Sequence, residues 1–394
     1  MTLSVRMYDV GFGDCFLVSG GTERRWRLLI DCGCHLSSKP SYGGSISDAA
    51  RALIEDCRDA DGVARIDAVV VSHRHYDHIA GFDIADWHDV EVGEVLLPWT
   101  EDDKDPKARR IHDAQSLLAA RLVELADGRG ARDAATRELL GLLELSNKGA
   151  METVHSGFKG APEPRFLSGE FGAEPLELPG LPGTRIHVLG PATDEATIRD
   201  MDPPTGQTFL RLDGSDTDGE APVQPFPDAE PIKTGPGRDR ALRALERAIE
   251  DDLFDLAASL ADSVNGTSLV LVIEAEGHRL LFPGDAQWGT WDRILGHDPW
   301  RELLSGTTLL KVGHHGSHNA TPKRLVDEVL PDGIPAMVSV RPIKKWKEIP
   351  REPLLDALRA KGMSIIRSDL GPEQQMPNLQ QSPDARFWEL ELGP

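Results

Sequence analysis

The segment His73-Arg74-His75-Tyr76-Asp77-His78 follows directly on residues 66–71, a run rich in β-branched side chains that reads as a buried strand ending abruptly at Ser72. Histidine fills only 13 of 394 positions, so three within six residues are not a product of composition. Imidazole and carboxylate are the donors that suit zinc, manganese or iron. A tight turn beyond a rigid strand can aim four such side chains at two neighbouring ions.

Strand and turn signals surround this turn. Residues 3–8, 15–19 and 26–30 read as short strands separated by glycine-rich turns. A helix is expected next, with Ser47 as N-cap and Ala50, Leu53, Ile54 and Cys57 at helical spacing. Residues 92–97 form a further strand, closed by Pro98. In the second half, residues 268–274, 278–282, 308–312 and 336–340 predict strands, followed by a helix over 352–360 and strands at 364–366 and 387–390.

Two stretches interrupt the alternation. Residues 107–148 read as a helical hairpin, with Ile111, Leu117, Leu118, Leu122 and Leu125 on one helix and Leu139, Leu140, Leu142 and Leu143 on the next; Gly128 and Gly130 make the turn. Residues 200–262 combine a loop rich in Asp, Pro and Gly, at 213–237, with an amphipathic helix from about 240 to 262. The chain is therefore expected to be one domain, 1–394, carrying two insertions.

Charge narrows the function classes. Acidic residues outnumber basic ones 65 to 43, a net charge of −22. The body of such a protein repels polyanions, so a phosphate-bearing substrate must be held by a local patch or by metal ions. No apolar run approaches the roughly 20 residues of a membrane helix. Arg6, Asp9 and Asp14 interrupt the apolar stretch a secretion signal needs, so a soluble, cytoplasmic protein with no membrane partner is expected. Four cysteines, Cys15, Cys32, Cys34 and Cys57, are too few for a disulfide framework.

The motif His-x-His-x-Asp-His resembles the hallmark of the metallo-β-lactamase-fold hydrolases. Further matches are Asp31 in LLIDCG, Asp285 in LLFPGDAQ, and His314 and His315 in LLKVGHHGSH. More narrowly, residues 9–18, 265–286 and 314–318 resemble the hydrolase domain of ComEC-type DNA-uptake proteins; with no translocation channel read in these residues, DNA import by this chain alone is not expected. The resemblance implies an α/β (α+β) fold, a four-layer αββα sandwich with helical insertions and a metal site where strand ends meet. It implies two divalent metal ions, zinc or manganese. His73 and His75 would hold one ion, Asp77 and His78 the other, with Asp285 bridging and His314 completing the second site. Asp77 and His315 are the candidate catalytic groups. Asp31 is expected behind the ligands, fixing histidine tautomers, and Gly13 and Asp14 in a turn lining the same mouth. The chain departs from the pattern at the family's intermediate histidine: Gly190 takes that position, and His187 lies three residues earlier in a strand. Cys32, Cys34 and His35 lack a partner pair and do not make a separate zinc site.

The bond cleaved has to be read from residues outside the ligands. His315, Ser317 and His318 offer donors to phosphate oxygens. Arg341, Lys344, Lys345 and Lys347 surround Trp346, and cations with an interleaved aromatic suit a phosphodiester backbone and a stacked base. The expected function is a dimetal phosphodiesterase, with Ser317, His318, Lys344, Lys345 and Lys347 as substrate-binding residues and single-stranded DNA or a nucleotide as the substrate. A carboxylic-ester, thioester or lactone hydrolase on the same metals is the alternative. A metal-binding regulatory module without turnover is the second.

Overall fold

The computed structural model describes residues 3–21, 24–115, 147–201, 203–209, 263–343 and 346–393. Its strands are β1 (Leu3–Tyr8), β2 (Cys15–Gly20), β3 (Trp26–Cys32), β4 (Arg65–Val70), β5 (Glu91–Pro98) and β6 (Arg165–Leu167). They continue as β7 (Arg185–Gly190), β8 (Val270–Ala275), β9 (His278–Phe282), β10 (Leu309–Lys311), β11 (Pro335–Val338), β12 (Ser364–Arg367) and β13 (Gly371–Pro372). The chain then returns to the first sheet as β14 (Leu379–Gln381) and β15 (Phe387–Leu392). The two sheets have the orders β14-β15-β1-β2-β3-β4-β5-β6 and β13-β12-β11-β10-β9-β8-β7.

Side-chain alternation makes these sheets two-sided. On β2 and β3, Phe16, Val18, Leu28 and Ile30 point inward, where they share a cluster with Leu271, Ile273, Leu280 and Phe282 of the second sheet. Their neighbours Leu17 and Leu29 point outward, onto Ala50, Leu53 and Ile54 of the helix Ile46–Asp56. The second sheet repeats the scheme. Val270 and Val272 face Trp291, Leu304, Leu355 and Leu358, on the helices Trp288–Leu295, Asp298–Ser305 and Glu352–Ala360. Helix, sheet, sheet and helix are thus four layers, as expected from the sequence.

The parallel part of each sheet sets the site. β3 pairs with β4 in parallel, Ile30 opposite Val70, and β9 pairs with β10 in parallel, Leu281 opposite Leu310. Parallel strands end at the same edge, so the loops after Cys32, Val70, Phe282 and Lys311 emerge together. A backbone bond from Leu269 N to Ser72 O, 2.9 Å, ties the two sheets there.

Some expectations need correction or fall elsewhere. The N-cap of the first helix is Ser45, not Ser47: Ser45 and Asp48 make a reciprocal capping box, which fixes the start at Ile46. The helices Trp288–Leu295 and Asp298–Ser305 were not expected at all. Residues 106–115 are helical, in keeping with the start of the hairpin. Its remainder up to residue 146, the 213–237 loop and the 240–262 helix lie outside the described residues. No helix among the described residues is long and apolar enough to cross a membrane.

Candidate metal centre

Beyond β4 the chain turns through Ser72 into a one-turn helix, Tyr76–Ile79, started by bonds from His78 N and Ile79 N to His75 O. This turn places Asp77 and His78 side by side, and the loops after β1 and β3 hold it. Asp14 N donates to Asp77 O at 2.9 Å. Gly33 lies so close that a Cβ there would sit 2.2 Å from His78 N and Asp77 C, so only glycine lets the loops meet.

Asp31, at the end of β3, is the anchor behind the ligands. Its carboxylate accepts from Ser72 N at 2.7 Å, Ser72 Oγ at 2.7 Å and His78 Nδ1 at 2.8 Å. Ser72 Oγ also meets His73 Nδ1 at 3.1 Å. Each contact occupies an Nδ1 and turns the Nε2 of that ring into the site. His78 Nε2 then lies 3.1 Å from Asp285 Oδ2, while His73 Nε2 lies 4.0 Å from the same oxygen and 3.0 Å from His75 Nδ1.

Asp285 arrives from the other sheet. It follows β9 through Pro283 and Gly284, and its own N–H donates to Ser268 Oγ at 3.2 Å. The turn after β10 supplies His314 and His315, both with left-handed backbone, φ 45° and 54°. His315 is fully buried, directs Nδ1 to Ser339 O at 2.8 Å and places Nε2 3.3 Å from Asp77 Oδ2. His314 directs Nδ1 to Asn319 Oδ1 at 3.2 Å and Nε2 to Asp285 Oδ2 at 3.7 Å. It is therefore His315, rather than the expected His314, that the fold brings beside Asp77 and His78.

Electrostatics reflect this crowding. Burial draws His73 well below the ordinary imidazole range, and it takes His75 down to about 4 against the pull of Asp77. Burial opposes protonation of His78 as well, but Asp285 and Asp31 outweigh it and hold that ring well above its usual value. His315 is raised, against burial, by Asp14 and Asp77. Asp77 and Asp285 stay ionised although burial works against them, the first through His315 and the second through His78.

Lys311 was not singled out in the sequence. It is 1% exposed at the end of β10, ion-paired with Asp14 and 3.8 Å from Asp285 Oδ1. A lysine inside the apolar run Leu309-Leu310-Lys311-Val312, next to the histidines, was the available signal. Asn319 and Ser339, which orient the two histidines, carry no sequence signal of their own.

The residues present fit divalent cations. Asp285 Oδ1 is buried without a hydrogen-bonding partner, an atom a cation would satisfy. Among the described residues, three groupings bring donor atoms within 4.8 Å of one another: His73, His78 and Asp285; Asp77, His78 and His315; and Asp14, Asp31 and His78. Four of these residues are carboxylates, and among the described residues Lys311 is the only lysine or arginine ion-paired with them; carboxylates buried together are tolerated poorly unless cations compensate them. Imidazole and carboxylate without thiolate favour zinc, manganese or iron over softer metals.

Ser317 is buried and donates to Asn319 Oδ1 at 2.9 Å, so its hydroxyl is engaged within the turn. His318 O accepts from Thr208 Oγ1 at 3.1 Å. Lys347 is exposed, and Lys344 and Lys345 lie outside the described residues. Trp346 packs on Phe12 and His35, with ring centroids 5.3 and 4.9 Å apart, and Phe12 packs on His315 at 4.4 Å. His187 faces away, with Nε2 3.1 Å from Glu274 Oε2.

A two-sheet sandwich with helices outside and a His/Asp cluster at converging strand ends is consistent with a metallo-β-lactamase sandwich fold. Residues 26–128 match the family model of the beta-lactamase superfamily domain. No curated protein sequence matches the chain. Among solved structures it is similar to Zn2+-bound PqqB from Methylobacterium extorquens, with a TM-score of 0.36 and 11% identity over 92% of this chain and 97% of that one.

Proposed function

We propose that the protein is a dimetal phosphodiesterase acting on nucleic acid or a nucleotide-like substrate. The observation that carries the metal part is the meeting of donors from three separate chain segments at one buried edge: the 73–78 turn, Asp285 and the 314–315 turn. His73 and His75 would hold one ion and Asp77, His78 and His315 the other, with Asp285 between them. Bound there, divalent ions supply a nucleophilic water at neutral pH and charge to offset that developing on the displaced oxygen.

The chain's own residues prepare this chemistry. Asp31, Ser72 and the carbonyl of Ser339 fix the rings so that no imidazole must reorient. Trp346 favours the phosphodiester over a carboxylic ester. It is half-buried on the Phe12 ring that also touches His315, in a loop that carries Arg341 and Lys347. An aromatic face among cations is suited to a base and its phosphates.

Hydrolysis of single-stranded DNA, of a chromogenic phosphodiester and of a thioester, each with manganese, with zinc and after chelation, tests the reading. Metal-dependent turnover of the two phosphodiesters above the thioester is expected. Preference for the thioester would move the ester reading ahead.

A further inference from the structure

On the dimetal reading, the ion held by His73 and His75 is short of a ligand. The segment where the resemblance places a third histidine presents Gly190, at the end of β7. A Cβ there would lie 2.8 Å from Thr290 Cγ2 and 3.1 Å from Val270 Cγ2, so this position is closed by packing. His187, on the same strand, is turned to Glu274.

We infer that His314 supplies the missing ligand: it joins His73 and His75 on one ion, and His315 alone completes the ion held by Asp77 and His78. His314 Nε2 and His73 Nε2 lie 3.7 and 4.0 Å from the same oxygen, Asp285 Oδ2. Both spacings exceed the roughly 3.3 Å edge of a tetrahedron whose bonds are near 2 Å, so the two rings would close by several tenths of an ångström onto a shared ion. Asn319 Oδ1 faces Nδ1 of His314 at 3.2 Å and accepts only, so Nδ1 carries the proton and Nε2 is left to bind. His315 is fixed in the same sense by Ser339 O but points at Asp77.

The backbone explains how neighbours in sequence serve different oxygens. His314 (φ 45°, ψ 50°) and His315 (φ 54°, ψ 15°) are both left-handed, a conformation that side chains of this size rarely adopt and almost never in succession. The turn sends one imidazole to Asp285 and the other to Asp77. The side chain of His314 is 20% exposed against 0% for His315, so it stands on the solvent side of the centre.

The inference rests on the dimetal reading, and counting ions separates the two. Zinc content after dialysis and affinity by chelator competition would be measured for the unmutated chain, H314A, H314G, H75A, H315A, H75A/H314A and H314A/H315A. The unmutated chain should hold two ions and H314A and H314G one each. H75A/H314A should lose no more than either single change, because both act on one ion, whereas H314A/H315A should lose both. H314G controls for folding: glycine accepts the left-handed backbone, so the melting temperature of the metal-free variant should not fall. Two ions at unchanged affinity in H314A and H314G would overturn the inference. So would an ion retained in H314A/H315A but lost from H75A/H314A. Fewer than two ions in the unmutated chain would overturn the dimetal reading and the inference with it.

Discussion

Asp31 and His78, 47 residues apart in sequence, meet through a 2.8 Å contact between Oδ2 and Nδ1, and both are buried at the edge where the two sheets end. The contact decides which nitrogen of His78 faces Asp285.

Replacing Asp31 by Asn keeps the size of the side chain and removes the charge that holds His78 and Ser72. Metal affinity should fall by about 10- to 100-fold, the usual effect of losing a carboxylate behind a histidine ligand. Chelator competition on D31N, with circular dichroism to show the fold retained, measures this. Unchanged affinity would show that the ring is positioned without Asp31.

Lys311 compensates Asp14 inside the protein. K311M leaves that carboxylate buried without its cation, which should cost about 3–5 kcal/mol of stability in urea unfolding. Adding D14N should recover most of the loss, because the pair is then removed together. A K311M variant as stable as the parent, or one that D14N fails to rescue, would show that the pair is not what stabilises this edge.

Glu101 is fully buried, 2.9 Å from Arg74 Nη2 and 3.6 Å from His112 Nε2. Burial would raise its pKa, but Arg74 and His112 prevail and lower it to about 2. A carboxyl depressed in the folded state stabilises above its unfolded pKa of about 4.5 and loses that contribution as pH falls toward 2. The stability difference between the parent and E101Q should shrink as pH falls below 4.5, by about 3 kcal/mol in full. A difference independent of pH in denaturant titrations would show that Glu101 is not tuned in this way.

The cationic loop gives a prediction about substrate size. Changing Lys344, Lys345 and Lys347 together to Ala should weaken binding to long single-stranded DNA far more than to a chromogenic phosphodiester. The slope of log affinity against log salt should flatten by roughly 0.7 per lost contact. Equal losses on both substrates, or an unchanged slope, would leave the loop without a role in binding.

Much of the frame was legible because each strand near the site is a short apolar run followed at once by its polar ligand. Residues 3–8, 278–282 and 352–360 were read with their observed bounds, and β4 and β12 within a residue. The helices Trp288–Leu295 and Asp298–Ser305 were missed because they are two turns each and contain Gly289 and Pro299, which read as breaks. Two serines flank the first helical residue, Ile46, and only the reciprocal bonds of Ser45 with Asp48 make Ser45 the cap and leave Ser47 inside the first turn. The histidine motif could be seen in advance as types at fixed spacing, and Asp285 and Asp31 through the resemblance. Which of His314 and His315 faces Asp77 could not, since it depends on two left-handed residues in succession. Lys311 shows as a charge within an apolar run, but its partner Asp14, far off in the sequence, does not.

Turnover of a chromogenic phosphodiester, followed in one preparation before metal removal, after it and after stoichiometric return of manganese or zinc, tests the central claim most directly. Activity should vanish on removal and come back as two ions per chain are restored, with D77A and H78A folded but inactive throughout. Full activity in the thoroughly metal-free protein would contradict it.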